Sequence, residues 1–312
     1  IKGQGHAKRA LAIAAAGGHN ILLQGPPGTG KTMLAQALAS ILPPPTLDEM
    51  IEITKIWSSA GLLKERACMN FRPFRSPHHT ASAPAVVGGG GNPRPGEISL
   101  AHRGVLFLDE LPECHRDILE SLRQPSEAKA ATIARAKNTV TLPAKFMLVA
   151  AMNPCPCGYF GDAEKSCRCG AFEILRYQKK ISGPLLDRID LHVNVPRLSV
   201  SDLRSKKRDN RERDAIRSAV ASARRVQTER LRDLPGKHTN AELSSKECED
   251  LIRLEPGAER FLKETLNRSL ISGRGYYRLL KVAQTVADLE TAPIVNENHL
   301  AEAFSYRLKE EN

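Results

Sequence analysis

Apolar residues fall in short continuous runs as far as Pro196, and beyond it in three- and four-residue steps. Continuous runs bounded by glycine, proline or charge read as parallel strands covered on both faces. Three such runs are Ile21–Gln24, Val105–Leu108 and Phe146–Met152. Helix-like stretches alternate with them. An Ala-rich segment ends at Gly17-Gly18, and Lys31–Ile41 is stopped by Pro43-Pro44-Pro45, three rings without N–H donors. Thr132–Leu142 alternates on either side of Ala136–Thr139, which predicts a β-hairpin with Arg135 and Lys137 near its tip. The later steps at Cys248–Leu254, Ala258–Leu266 and Tyr277–Leu289 predict an all-helical region over 237–312, hinged at the preceding 198–236 segment or at Pro235-Gly236. Residues 70–103 are rich in Gly, Pro and His and read as a flexible surface insertion unable to fill a core.

The strand–loop–helix order around Gly25–Thr32 gives this pattern chemical meaning, because the loop reads G-x-x-x-x-G-K-T. Gly25, Pro26, Pro27, Gly28, Thr29 and Gly30 would fold back so that their N–H groups converge on phosphate, aided by the following helix N-terminus. Lys31 would reach the β- and γ-phosphates, and the Thr32 hydroxyl would face Mg²⁺. The run Val105–Leu108 ends in Asp109 and Glu110. At a strand end two adjacent acids can take different tasks: Asp109 holding the Mg²⁺ shell, Glu110 polarising the attacking water. Asn153, closing the third run, is positioned to hold that water or touch the γ-phosphate, although Asn153-Pro154 also reads as a turn. Together these residues predict an NTP hydrolase.

Composition narrows the class. A chain of 312 residues with 41% hydrophobic content fills one large core and a small satellite. No run reaches the roughly 18 apolar residues needed to cross a bilayer, no secretory signal opens the chain, and no membrane partner is expected. Seven cysteines beside a phosphate loop point to a reducing, cytoplasmic setting. Cys155, Cys157, Cys167 and Cys169 form two C-x-C pairs within a 155–169 loop. They could hold Zn²⁺, act as a redox-sensitive loop, or stay as four thiols. Cys68, Cys114 and Cys248 read as small packing residues, and His78-His79 as hydrogen-bonding loop residues rather than metal ligands. Net charge is +11, and Arg204–Arg232 carries 11 Lys/Arg against 4 Asp/Glu at helical spacing, either a solvated helix or one that tracks phosphates. With aromatics at 4%, base stacking is a poor route to nucleic acid, so any grip would be on the backbone.

The order of parts resembles the AAA+ ATPases, specifically the magnesium-chelatase-like branch and its ComM/YifB group. Phe74–Thr80, Pro95–His102, Leu106–Pro112, Ala150–Cys157 and Ser182–Asp190 carry the likeness together with the phosphate loop. The resemblance implies an α/β P-loop fold, a parallel-sheet core with helices on both faces, over 1–197, and a small all-α lid over 237–312. It makes 70–103 a helix-2-type insert and 131–146 a pre-sensor hairpin aimed at a pore. ATP/ADP and Mg²⁺ are the implied cofactors, with Lys2–Gln4 near the adenine. Arg188 matches an arginine finger acting in trans, and Arg274 a lid arginine touching the γ-phosphate of its own subunit, with Arg278 as the alternative. The implied activity is that of a ring-forming, hexameric motor on single-stranded or branched DNA, gripped by Arg135 and Lys137, as in branch migration during natural transformation. A chelatase-type motor subunit and a non-catalytic ATP-dependent scaffold are the alternatives. The group's usual Lon-like N-terminal domain has no counterpart here, and the chain begins at Ile1, so an excised ATPase module is expected.

Overall fold

The computed structural model describes residues 1–63, 68–89, 94–134, 139–198, 210–268 and 271–307. Arg135 and Lys137 lie outside them, as does the Arg204–Arg208 part of the basic segment.

The centre is a five-stranded parallel sheet built from β1 (Ile21–Gln24), β2 (Phe74–Arg75), β5 (Val105–Leu108), β8 (Met147–Met152) and β9 (Leu191–Asn194), in the order β2-β5-β8-β1-β9. Register is set by Ile21 opposite both Val149 and Leu191, and Val105 opposite Met147. Side chains alternate between two cores as the strand period demands. Ile21, Leu23, Val105, Phe107, Met147, Val149 and Ala151 enter one core, while Leu22, Leu106, Leu108, Leu148, Ala150 and Met152 enter the other.

The first core is capped by α1 (Gly5–Gly17) and α2 (Lys31–Ile41), and continues into the C-terminal helices. Its buried Ala7, Ala10, Ala12, Ala14, Ala15 and Ala16 explain why α1 is so rich in alanine. Small side chains let it lie close to three neighbours at once: α2, α10 (Asn210–Arg230) and α13 (Gly273–Leu289). The remaining C-terminal helices are α11 (Ser245–Leu251), α12 (Pro256–Arg268) and α14 (Glu297–Ser305). Among them sits a buried polar network centred on Asp288, which accepts from Arg230, from Asn240 Nδ2 at 2.8 Å and from Gln284 Nε2 at 3.0 Å. The described part of the basic segment is therefore more than a solvated or phosphate-tracking face. Arg224 donates to the Ala15 carbonyl at 2.7 Å and Arg230 pairs with Asp288.

Beside α3 (Leu47–Ser59), which packs on α5, the second core takes side chains from α4 (Ala83–Val87), α5 (Glu97–Leu100), α6 (Arg116–Ser121), followed by α7 (Arg123–Ala128), and from α8 (Ala171–Gln178) and α9 (Gly183–Leu186). Here the composition reading of 70–103 needs correction. The segment supplies β2, the edge strand of the main sheet, and a short ladder of β3 (Gly88–Gly89) with β4 (Arg94–Pro95). Val86, Ile98 and Ala101 are fully buried. Ion pairs hold it too: Arg72 on Glu49 at 2.7 Å and Arg75 on Glu97 at 2.5 Å. The hairpin strands β6 (Ala130–Ala134) and β7 (Thr139–Pro143) pair antiparallel, with Ala130 opposite Pro143.

Candidate functional site: a phosphate loop with two acids

The loop between β1 and α2 emerges at the carboxyl edge of the sheet, tied to β8 by Gly25 N–H donating to the Met152 carbonyl at 3.2 Å. Gly28 and Gly30 take positive φ of 79° and 85°, which only glycine adopts without strain. A Cβ at either would meet nothing within 4 Å, so the cradle is open on that side. No side chain caps the start of α2, leaving its first N–H groups aimed at the loop's mouth. This is an anion site by construction. Gln4 Nε2 donates to the Thr29 carbonyl at 2.8 Å, so the start of the chain touches the same loop.

Lys31 is buried, its ammonium donating to the carbonyls of Gly25 at 2.7 Å and Pro26 at 2.9 Å and to Asn153 Oδ1 at 3.1 Å. Burial lowers its pKa, against the opposing pull of Asp109 and Glu110. Thr32 Oγ1 donates to Asp109 Oδ2 at 2.8 Å, which places the hydroxyl and the carboxylate expected to share Mg²⁺ side by side. Glu110 leaves the strand with φ of 50°, and its amide donates to Asp109 Oδ1 at 2.9 Å. That left-handed turn separates the two adjacent acids and leaves the Glu110 carboxylate half exposed. Asn153, the first residue beyond β8, joins them through Lys31. The donor set fits a Mg²⁺–nucleotide: ammonium and amide N–H groups for phosphate, hydroxyl and carboxylate for the metal.

His78 and His79 are loop residues as expected, with His78 Nδ1 2.8 Å from Thr80 Oγ1. What sequence reasoning missed is that His79 Nδ1 stands 3.3 Å from Glu110 Oε2. No local signal pointed to it, because the edge strand Phe74–Arg75 that brings it to β5 leaves no apolar run to detect.

The arginines gather elsewhere. Arg188, between α9 and β9, pairs with Glu127 and donates to the Pro184 carbonyl. Arg274 also pairs with Glu127, at 3.1 Å, and Arg278 donates to the Ile189 carbonyl at 2.9 Å. They line a cavity of about 400 Å³ together with Asn20 and Asp190, which immediately precede β1 and β9. This is the amino edge of the sheet, opposite the phosphate loop. Arg274 therefore does not touch its own subunit's phosphate loop, contrary to the expectation of an intrasubunit contact. The reason is where the C-terminal helices dock: α13 lies on α1 and α10, which carries its first turn to the far edge.

The sulfurs of Cys155, Cys157, Cys167 and Cys169 all lie within 4.8 Å of one another, with Cys155 fully buried. Cys114 and Cys248 are buried as expected of packing residues, whereas Cys68 is exposed. Among the described residues no helix is long and apolar enough to cross a membrane.

Residues 1–203 match the family model described as magnesium chelatase, subunit ChlI, and residues 210–307 the model for its C-terminal part. The chain is 47% identical over 312 residues to the competence protein ComM of Haemophilus influenzae, covering 98% of this chain and 59% of that protein. It is 45% identical over 308 residues to the uncharacterized protein YifB of Salmonella typhimurium, with the same coverage, and 43% identical over 311 residues to the uncharacterized protein Mb2921c of Mycobacterium bovis, covering 98% of this chain and 60% of that protein. The chain thus spans about three fifths of the length of these relatives. It belongs to the magnesium-chelatase-like AAA+ ATPases, in their ComM/YifB group.

Proposed function

We propose that this AAA+ ATPase works as a homo-oligomeric ring, hexameric and cytoplasmic, that spends ATP to move along single-stranded or branched DNA, as a branch-migration motor. The observation that carries this reading is the separation of the site into two edges. Lys31, Thr32, Asp109, Glu110 and Asn153 stand at the carboxyl edge of the sheet, while Arg188 and Arg274 stand at the amino edge. An arginine that cannot reach its own nucleotide has a role if a second copy presents its phosphate loop to that edge. Within each such interface Lys31 and the loop amides bind the phosphates of ATP, and Thr32 and Asp109 hold Mg²⁺. Glu110 takes the proton of the attacking water, and Arg188 of the neighbour offsets charge on the transferring phosphoryl, an effect of about 10³–10⁵ in rate for arginine fingers. The grip on DNA is assigned to Arg135 and Lys137, which lie outside the described residues, in sequence between β6 and β7. The four thiols hold one Zn²⁺.

The printed name of the Haemophilus influenzae relative, a competence protein, supports DNA as the substrate. The family models, named for magnesium chelatase, support the second reading of a chelatase-type motor. A non-catalytic scaffold has no use for a complete set of Lys31, Asp109, Glu110 and Asn153. ATPase rate with and without single-stranded and branched DNA decides among them. The DNA motor predicts stimulation that Arg135→Ala/Lys137→Ala abolishes and that fades with salt as counterions return to the phosphates. Mixing tests the ring: Arg188→Ala subunits should regain turnover beside chains that keep Arg188 but carry Lys31→Ala. No recovery in such mixtures, with oligomers present, overturns the shared site.

A further inference from the structure

The cysteine loop is built against the phosphate loop. Its first sulfur ligand, Cys155, follows Asn153 by two residues, and Asn153 accepts from Lys31. At the turn of the first C-x-C pair, Gly158 takes φ of 85°, with its N–H donating to the Cys155 carbonyl at 3.0 Å. A Cβ at Gly158 would lie 2.7 Å from Pro27 Cδ and 3.7 Å from Asn153 Cγ, so the backbone of the cysteine turn rests directly on the phosphate loop. Nothing larger than glycine fits between them.

The sulfur geometry says what holds this turn in place. Cys155 and Cys157 sulfurs are 3.4 Å apart, and each stands 3.6 Å from that of Cys167. In a tetrahedral ZnS₄ centre with Zn–S of about 2.3 Å, the sulfurs stand about 3.8 Å apart. Backbone N–H groups also point at the sulfurs: Phe160 to Cys155 at 3.3 Å and Cys169 to Cys167 at 3.4 Å.

We infer that the 155–169 loop is a zinc-dependent buttress of the phosphate loop: the metal fixes the Gly158 turn against Pro27 and Asn153, and nucleotide affinity depends on it. The inference rests on the ATP site and the zinc occupancy proposed above, and adds the coupling between them. The physical basis is that the two C-x-C ends of the 155–169 loop meet through the four sulfurs, whereas the middle of the loop is tied elsewhere, by Asp162 to Arg197 at 2.6 Å. Without the metal, the turn that lies against Pro27 and Asn153 loses its link to the second C-x-C pair. Misplacement of a positioning group by about 1 Å is enough to lose about a hundredfold in function.

The test uses protein purified without chelator, elemental analysis for zinc, and titration with a fluorescent ATP analogue in excess Mg²⁺. Treatment with a zinc-selective chelator should remove one Zn²⁺ per chain and weaken nucleotide binding at least about tenfold, in line with losses from removing supports of ordered sites. Added Zn²⁺ should restore it. Cys167→Ser/Cys169→Ser should lose zinc and affinity together without rescue by added Zn²⁺. Gly158→Ala should keep zinc yet weaken binding, which separates the metal from the buttress and stands even if the double serine variant fails to fold. Zinc present but removable with no change in affinity overturns the coupling while leaving the metal site intact. Absence of zinc, with no uptake from solution, overturns both. Wild-type protein that holds zinc but binds no nucleotide overturns the ATP reading itself and the inference with it.

Discussion

Gly25→Ala and Gly28→Ala change the same loop by one methyl group and should behave differently. At Gly25 an added Cβ would lie 2.2 Å from the Val195 carbonyl oxygen and 3.1 Å from its carbon, against 3.4–4 Å for ordinary contact. Val195 cannot step aside cheaply, because its N–H donates to the Gln24 carbonyl at 2.7 Å in line with the β1–β9 ladder. Relief requires β1 and β9 to part by about 1 Å, an overpacking strain of about 1–3 kcal/mol. The same shift moves the Gly25 carbonyl that holds Lys31, so MgATP affinity should fall by about a hundredfold. At Gly28 the Cβ meets nothing within 4 Å, and the φ of 79° is the only obstacle. Alanine there costs about 1 kcal/mol of left-handed strain, and the loop keeps its supports. Urea unfolding gives the stabilities and titration with MgATP the affinities. Equal midpoints and equal affinities for the two variants would refute the claim that Gly25 is required by contact and Gly28 by conformation.

Glu110→Gln should bind MgATP as wild type does while turnover falls by about 10²–10⁴, the range for a lost general base; Lys31→Ala should lose binding itself, and steady-state rates beside equilibrium titration separate the two. Asp288→Ala leaves Arg230, Asn240 and Gln284 without their buried acceptor, and should cost about 3–5 kcal/mol by urea unfolding, as broken buried pairs do. Burial raises the Glu52 pKa, but the hydrogen bonds and charge of Arg103 and His102 outweigh it and bring the group down to about 2 from an ordinary 4.5. A depressed carboxylate stabilises above its ordinary pKa and loses that contribution as pH falls from 4.5 toward 2. Glu52 is 42% exposed, so Glu52→Gln should cost only about 1 kcal/mol at pH 7, and the gap to wild type should narrow as pH falls below 4.5 and close near 2.

The parallel core was legible because its strands announce themselves: Val105–Leu108 and Met147–Met152 are buried at every position, and continuous burial leaves continuous apolar runs. The phosphate loop, Asp109 and Asn153 followed from their places at the ends of those runs. The 70–103 segment was obscured by its glycines and prolines. Its fold depends on isolated anchors such as Val86 and Ile98 and on Arg72 and Arg75 meeting carboxylates far away in sequence, and neither leaves a period to detect. The contact of His79 with Glu110 and the placement of Arg274 were hidden for a related reason. Which edge of the sheet a residue reaches is fixed by how whole elements dock, and local sequence carries no record of that.

Helix α1 has a mechanical meaning beyond its place in the core. At one end Gln4 holds the Thr29 carbonyl; at the other, a Cβ on Gly17 would come within 2.5 Å of the Thr285 hydroxyl on α13. Thirteen helical residues at 1.5 Å each make a strut of about 20 Å, stiff because alanines pressed on three sides leave it no room to bend. It works as a gauge rod between the phosphate loop and the helices that carry Arg274. A single alanine inserted in its middle would turn one end by about 100° relative to the other, so its length and phase are as fixed as any residue of the site.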